Sequence, residues 1–200
     1  PAAVEVFEYG FDLAAKRKGS EGDDLVSRLV NQMPEDGVPM SDRDFRNYFL
    51  LLVVAGNETT RHAISHSMKA LIDNPDQLAL LQAEPERIPG AVEEMLRWAT
   101  PVRNMNRTAT KDVEIGDLVV REGDRILLLY PSANRDERAF DHPERFDITR
   151  SPNDHFAFGA YGRHHCLGAP LAQPGVGAGL RLGDHPEDVR EAAHQHPKQI

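Results

Sequence analysis

Val4, Phe7, Phe11 and Ala14 recur at helical spacing and Gly19 follows them, which predicts an amphipathic helix with a glycine stop. Leu25, Leu29 and Val30, behind the acidic pair Asp23-Asp24, predict a second, short helix ahead of a loop from Pro34 to Pro39. Ser41 has the form of an N-cap, with Asp44 as an imperfect capping-box partner, and opens the longest element, which runs to about Asp73. Within it the stretch Phe49 to Ala55 is apolar on every side. A strand would also give such a run, but periodic apolar positions continue through Ala63, Ile64, Met68 and Leu71, so a long helix buried in a core is the better reading. Asn74-Pro75 ends it and starts a short helix through Leu81, because proline suits a first helical position. A further helix carries Val92, Met95, Leu96 and Ala99 on one face and stops before Pro101.

The pattern then changes. Val113, Ile115, Leu118 to Val120 and Ile126 to Tyr130 are short β-type runs separated by Gly116-Asp117 and Glu122-Gly123-Asp124, which predicts a small antiparallel sheet. From Pro131 to Asp154 the chain reads as a long loop rich in proline and charge, and unstructured loops of that length usually carry function. The stretch from Phe156 to Gly168 is rich in glycine around a lone cysteine. Beyond Gln173 the apolar residues follow no sustained period, so residues 174–200 read as an atypical, disordered tail with a weak helical stretch from Pro186 to Ala193. No internal repeat is visible.

Composition narrows the function. Among 200 residues, 23 Lys and Arg stand against 32 Asp and Glu, a formal charge of −9, with no basic block. That balance excludes nonspecific nucleic-acid binding and docking on anionic membranes, both of which need clustered positive charge. The longest apolar run falls far short of the ~20 residues of a membrane span, and no signal segment opens the chain, so a soluble, cytoplasmic protein is expected. One cysteine, Cys166, excludes an intrachain disulfide and any multi-cysteine metal site. The start at Pro1 implies a piece of something longer.

Four constellations carry chemistry. The first is Phe158-Gly159-Ala160-Tyr161-Gly162-Arg163-His164-His165-Cys166-Leu167-Gly168, in which backbone N–H groups of a glycine-rich turn leading into a helix would stabilise a thiolate offered to a metal. The alternative for a solitary cysteine is a buried structural role, against which the fixed offsets of Gly162, His164 and Gly168 weigh. The second is Ala55-Gly56-Asn57-Glu58-Thr59-Thr60 in the middle of the long helix. A glycine, an acid and two threonines there imply either a kink or widened turn facing a ligand, or merely one polar seam. The third is Glu94 with Arg97, which in isolation is an ordinary i, i+3 surface pair. The fourth is Arg107 together with Pro143-Glu144-Arg145-Phe146, whose arginines taken alone read as surface charge.

Taken in this order, AGNETT at 55–60, EEMLR at 93–97, PERF at 143–146 and FGAYGRHHCLG at 158–168 resemble the C-terminal half of a cytochrome P450. LLVVAGNETTRHAI, RWATPV and NRTA are more closely similar to actinobacterial members that oxidise sterols and branched lipids. The resemblance runs from about Asp23 to Gln173. It implies a mainly α fold with a small antiparallel β-sheet, a partial family domain over residues 1–173, and the family's N-terminal half missing. It implies haem b as cofactor, with Cys166 as the proximal thiolate on iron, and Arg107, His164 and Gly168 as further cofactor-binding residues, the first two at the propionates. Glu58 and Thr59 would handle protons and dioxygen. Glu94, Arg97 and Arg145 would form a buried structural triad. Ala55 and Gly56 would leave room beside the iron, and Val102 to Met105 would line the substrate.

The activity so implied is monooxygenation of a small apolar, steroid- or lipid-like substrate by O2. No G-x-G-x-x-G fingerprint of flavin or nicotinamide binding is present, so electrons would come from an external ferredoxin-type donor, with Arg163 a candidate contact. The chain departs from the family at Phe158, eight residues before Cys166 where seven is usual, and at Gln173, where arginine is expected. Gln173-Pro174-Gly175 is expected to stop the last helix, and the tail beyond fits a frameshifted or truncated gene. A reading of a different class is an inactive remnant that keeps the motifs without holding haem and at most binds another polypeptide.

Overall fold

The computed structural model describes residues 2–32, 37, 39–160 and 162–181. The chain divides into two compact units, Pro1–Glu58 and Thr59–Ile200.

In the first unit, α1 (Ala2–Arg17) and α2 (Leu25–Asn31) precede the start of α3 (Asp42–Asp73). Asp24 caps α2 by accepting from the Ser27 N–H at 3.1 Å, and Ser41 caps α3 as expected, its hydroxyl accepting from the Asp44 N–H and donating to the Asp44 carboxylate at 2.6 Å. Helices α1 and α3 meet at Gly10, where a Cβ would stand 2.7 Å from the Phe49 ring, so only glycine allows that approach. Phe45 and Phe49 are buried there, stacked 5.8 Å apart.

Helix α3 is α-helical from end to end, with no widened turn at 55–60. The long helix is as predicted, but its burial is not. Leu51 is 60% and Val54 59% exposed, so the all-round apolar stretch has one face packed and the others open.

In the second unit, α4 (Pro75–Ala83), a 3-10 turn (Pro85–Arg87) and α5 (Ile88–Ala99) follow α3. Val92, Met95 and Leu96 of α5 are buried with Ala63, Ala70 and Leu71 of α3 and with Phe146, Ile148 and Val176 in one hydrophobic core. Helix α5 ends on Thr100, a β-branched residue held in the left-handed region at φ +38°. The strands form two antiparallel pairs rather than one sheet: β1 (Asn104–Thr108) with β4 (Arg125–Leu129), and β2 (Val113–Ile115) with β3 (Leu118–Val120). Gly116 makes the tight β2–β3 turn at φ +58°.

Strand β1 is absent from the sequence reading because Asn-Met-Asn-Arg-Thr does not alternate; all five residues are exposed, and its pairing comes from β4, with Arg107 opposite Ile126. The segment after β4 begins with a short α6 (Tyr130–Ala133) and continues irregularly, tied down by side chains from α5.

Helix α7 spans Ala169–Arg181 with Pro174 inside it. The predicted stop at Gln173-Pro174-Gly175 therefore does not occur. Proline costs the helix a donor and a clash, but Val176, just beyond it, is fully buried, and α7 packs on α5 at Gly177, where a Cβ would stand in ordinary contact, 3.5 Å from the Ile88 side chain. Burial against α5 offsets the local penalty. Residues 182–200, which include the predicted weak helix at 186–193, lie outside the described residues. Among the described residues, no helix is long and apolar enough to cross a membrane.

Candidate functional site: the cysteine loop and its scaffold

The loop that ends on Cys166 is shaped by its backbone. The Gly159 N–H donates to the Phe156 carbonyl at 2.9 Å, and the Cys166 N–H donates to the Phe158 carbonyl at 3.0 Å, closing the loop on itself. Gly159 at φ +81° and Gly162 at φ +126° adopt conformations that side-chain-bearing residues avoid, which is why glycine stands at both. Cys166 is exposed, and a Cβ on Gly168 would stand 3.8 Å from its sulfur, an ordinary contact. Gly168 is therefore not forced by this chain's own packing, and its bareness leaves one side of the sulfur open. Cys166 faces a cleft of about 680 Å³ whose walls include Glu93, His155, Phe158, His165 and Gln173.

That cleft has a polar wall that the sequence reading missed. The Glu93 carboxylate accepts from Gln173 Nε2 at 2.8 Å and lies 3.0 Å from His155 Nε2. His155 Nδ1 accepts from the Ala157 N–H at 3.2 Å, which leaves Nε2 to donate to Glu93. Gln173 thus occupies the carboxylate with a neutral amide. Neither pairing carries a local sequence signature, since the partners are 62 and 80 residues apart.

Behind the loop stands a fully buried ion pair. Glu94 and Arg97 both have side chains 0% exposed, and the guanidinium grips the carboxylate in a fork with both contacts at 2.8 Å. Arg97 also donates to the carbonyls of Asn134, Pro143 and Arg145 at 2.7, 2.9 and 3.1 Å. The remaining capacity of Glu94 is taken by the Asp147 N–H, Asn153 Nδ2 and Arg150 Nε, at 2.9, 3.1 and 3.1 Å. The predicted pair exists, but the third member of the triad is Arg150, not Arg145. The Arg145 residue is exposed and contributes its carbonyl. Arg150, with only 8% of its side chain exposed, reaches Glu94 from the far end of the segment.

The other predicted residues lie as follows. Ala55, Gly56 and Glu58 are exposed on the part of α3 that belongs to the first unit, and among the described residues, apart from its chain neighbours and its own helix backbone, nothing comes within 4 Å of where a Gly56 Cβ would be. Thr59 is half-buried in the second unit, and Val102 is half-buried just ahead of β1. Arg107 is exposed on β1, its guanidinium donating to the neighbouring Asn106 carbonyl at 2.9 Å, and His164 is exposed on the loop.

Comparison with known proteins defines the class to which this fold and loop belong. The sequence model of the cytochrome P450 family matches residues 12–181, and the chain belongs to that family. It is 43% identical over 189 residues to a steroid C26-monooxygenase of Rhodococcus jostii, a match covering 94% of this chain and 40% of the relative. It is 45% identical over 172 residues to a methyl-branched lipid omega-hydroxylase of Mycobacterium bovis, covering 86% of this chain and 40% of the relative. Among solved structures, a Mycobacterium marinum cytochrome P450 in complex with pseudoionone aligns with a TM-score of 0.84 at 47% identity, over 92% of this chain and 45% of that one. A Bacillus megaterium cytochrome P450 in complex with corticosterone aligns with a TM-score of 0.85 at 35% identity, over 90% of this chain and 48% of that one. The chain thus spans about two fifths of the length of the curated relatives it matches.

The family implies haem. The residues present fit it on their own chemistry: one exposed thiol on a glycine-shaped loop, and two exposed cationic or protonatable groups, Arg107 and His164, that no carboxylate engages among the described residues. A sulfur ligand and hydrogen-bond donors for two carboxylates are what an iron porphyrin with two propionates asks for.

Proposed function

We propose that this chain is the haem-thiolate portion of a monooxygenase that places one oxygen atom of O2 into a C–H bond of an apolar, steroid- or lipid-like substrate, the other leaving as water. The single observation that carries the reading is the exposed thiol of Cys166, the chain's one cysteine, on a loop closed by its own N–H bond to Phe158. The names of the relatives, a steroid C26-monooxygenase and a methyl-branched lipid omega-hydroxylase, support the substrate class.

In this reading Cys166 would hold the haem iron through its sulfur, which the loop backbone keeps in place. Arg107 and His164 take the propionate charges, and Gly168 leaves the sulfur uncovered. Bound haem would supply the activation of dioxygen, which no amino-acid side chain can perform. The Thr59 hydroxyl orients a proton donor and Glu58 relays protons from solvent, since a hydroxyl beside a carboxylate is suited to staged proton delivery. Ala55 and Gly56 keep the helix slim, and Val102 offers apolar contact to substrate. Electrons come from an external ferredoxin-type donor, with exposed Arg163 as one contact for its acidic surface.

A second reading, a remnant that keeps the motifs without holding haem, is favoured by the exposed apolar face of α3 at Leu51 and Val54, which invites aggregation or partner binding. One experiment separates the two. The chain is expressed with haem supply, and its reduced carbon-monoxide spectrum is recorded beside that of Cys166→Ala. A pigmented protein with the red-shifted thiolate band, lost in the variant, is expected from the enzyme. A colourless preparation supports the remnant, and a band that survives Cys166→Ala sinks the ligand assignment.

A further inference from the structure

We propose that Asn134 is the positioning residue that fixes where the cysteine loop begins, by locking the first residue of that loop to the end of α5. Asn134 is 0% exposed, and every polar group of its side chain is committed. Its Oδ1 accepts from the Phe156 N–H at 2.7 Å, and its Nδ2 donates to Thr100 Oγ1 at 2.8 Å. Its own carbonyl accepts from Arg97 Nη1 at 2.7 Å. One residue therefore joins the buried ion pair, the helix end and the loop.

The flanks of Phe156 are held by other groups, His155 by Glu93 and Ala157 by burial in the core, and the Asn134 bond is what engages the Phe156 N–H between them. Phe156 is 38% exposed and stands on the wall of the cleft, so its side chain is only partly packed. From Phe156 onward the loop is hung on itself: Gly159 N–H on the Phe156 carbonyl, then Cys166 N–H on the Phe158 carbonyl. These bonds give a shift at Phe156 a route toward the sulfur, and the exchange experiment below reads whether it is taken. The other end of the tie is equally particular. Thr100 sits at φ +38°, where a β-branched residue is strained, and it stays there because its hydroxyl donates to the Arg97 carbonyl at 2.6 Å while accepting from Asn134. A buried amide that donates on one side and accepts on the other is what this junction needs; an acid satisfies one side and an apolar residue neither.

The inference rests on the haem-thiolate reading for what the loop presents, and the test keeps the two apart. Amide exchange is followed residue by residue by NMR on the full 200-residue chain and on Asn134→Leu and Asn134→Asp. In the unaltered chain the Phe156 amide is expected to be protected; free exchange there overturns the proposal even if Asn134→Leu fails to fold. In Asn134→Leu, exchange at Phe156 and Cys166 is expected to quicken about tenfold or more relative to Leu96 in α5, the loss of one buried hydrogen bond. Asn134→Asp, which retains an acceptor for the Phe156 N–H, is expected to keep Phe156 protected. Parallel quickening at Leu96, Phe156 and Cys166 in Asn134→Leu would mean general destabilisation and would overturn the proposal. With haem supplied, Asn134→Leu is expected to lose a larger share of the thiolate band than Asn134→Asp, and equal shares count against the proposal. Absence of the band in the unaltered chain rejects the haem reading, while the exchange pattern still decides the role of Asn134.

Discussion

Arg97→Leu removes the centre of the buried network, and its cost follows from the contacts it leaves behind. Glu94 keeps Arg150 but loses a bidentate partner at zero exposure, and the carbonyls of Asn134 and Pro143 lose their Arg97 donor. Breaking a buried ion pair by deleting one partner costs about 3–5 kcal/mol, because the remaining charge stays out of water. We expect about 4 kcal/mol, roughly a thousandfold in the folding equilibrium and a large part of the stability of an ordinary domain. Trp98 is the chain's one tryptophan and packs edge-on to Phe146 at 5.6 Å, so its fluorescence reports this region alone. In a urea titration the midpoint should fall by about 2 M for a slope of ordinary size. The same titration ranks the arginines. Arg150→Ala, which removes a nearly buried contact to Glu94, should cost about 2 kcal/mol, as loss of a charge-assisted hydrogen bond does. Arg145→Ala, whose contribution is a main-chain carbonyl, should stay within about 0.5 kcal/mol. An Arg145→Ala loss equal to that of Arg150→Ala, or an Arg97→Leu chain as stable as the original, would show that the buried network does not carry this stability.

Pro174→Ala should stabilise the chain, since it restores a helix donor and relieves a clash worth about 3 kcal/mol while giving back up to about 1 kcal/mol of unfolded-state restriction; a thermal midpoint that does not rise would show that α7 does not run through residue 174 in solution. Asp136 is held down to about 2 from 3.8 by hydrogen bonds from the Arg138 side chain and N–H. Because the folded value is the lower one, its stabilisation is complete above the unfolded value and fades as pH falls toward the folded one, so the stability gap between the chain and Asp136→Asn should close between pH 3.8 and about 2. A gap that is flat across that window argues against the assignment. In a reconstituted, active enzyme, Thr59→Ala should bind substrate and consume electrons as before but divert them to peroxide; unchanged yield of product per electron would count against its role in oxygen handling.

The long α3 and the amphipathic α5 could be read from the chain because each carries its periodic apolar face within one continuous stretch, and helix hydrogen bonds are local. The cysteine loop was legible for a similar reason, since glycine at 159 and 162 is a local demand of backbone shape. Glu94 with Arg97 was visible as a pair on one turn. Its burial and its third partner were not. Arg145 and Arg150 stand in the same segment with the same side chain, and only the path of the chain around α5 decides which guanidinium reaches Glu94 and which carbonyl faces Arg97. Strand β1 exists through β4, α7 outlasts Pro174 through its burial on α5, and Asn134 owes its place to groups 22 and 34 residues away. Local sequence set the helices up to α5, the tight turns and the glycine-shaped loop that carries the thiol. Tertiary structure decided which polar groups are taken out of water together, because that depends on contacts between residues far apart in the chain.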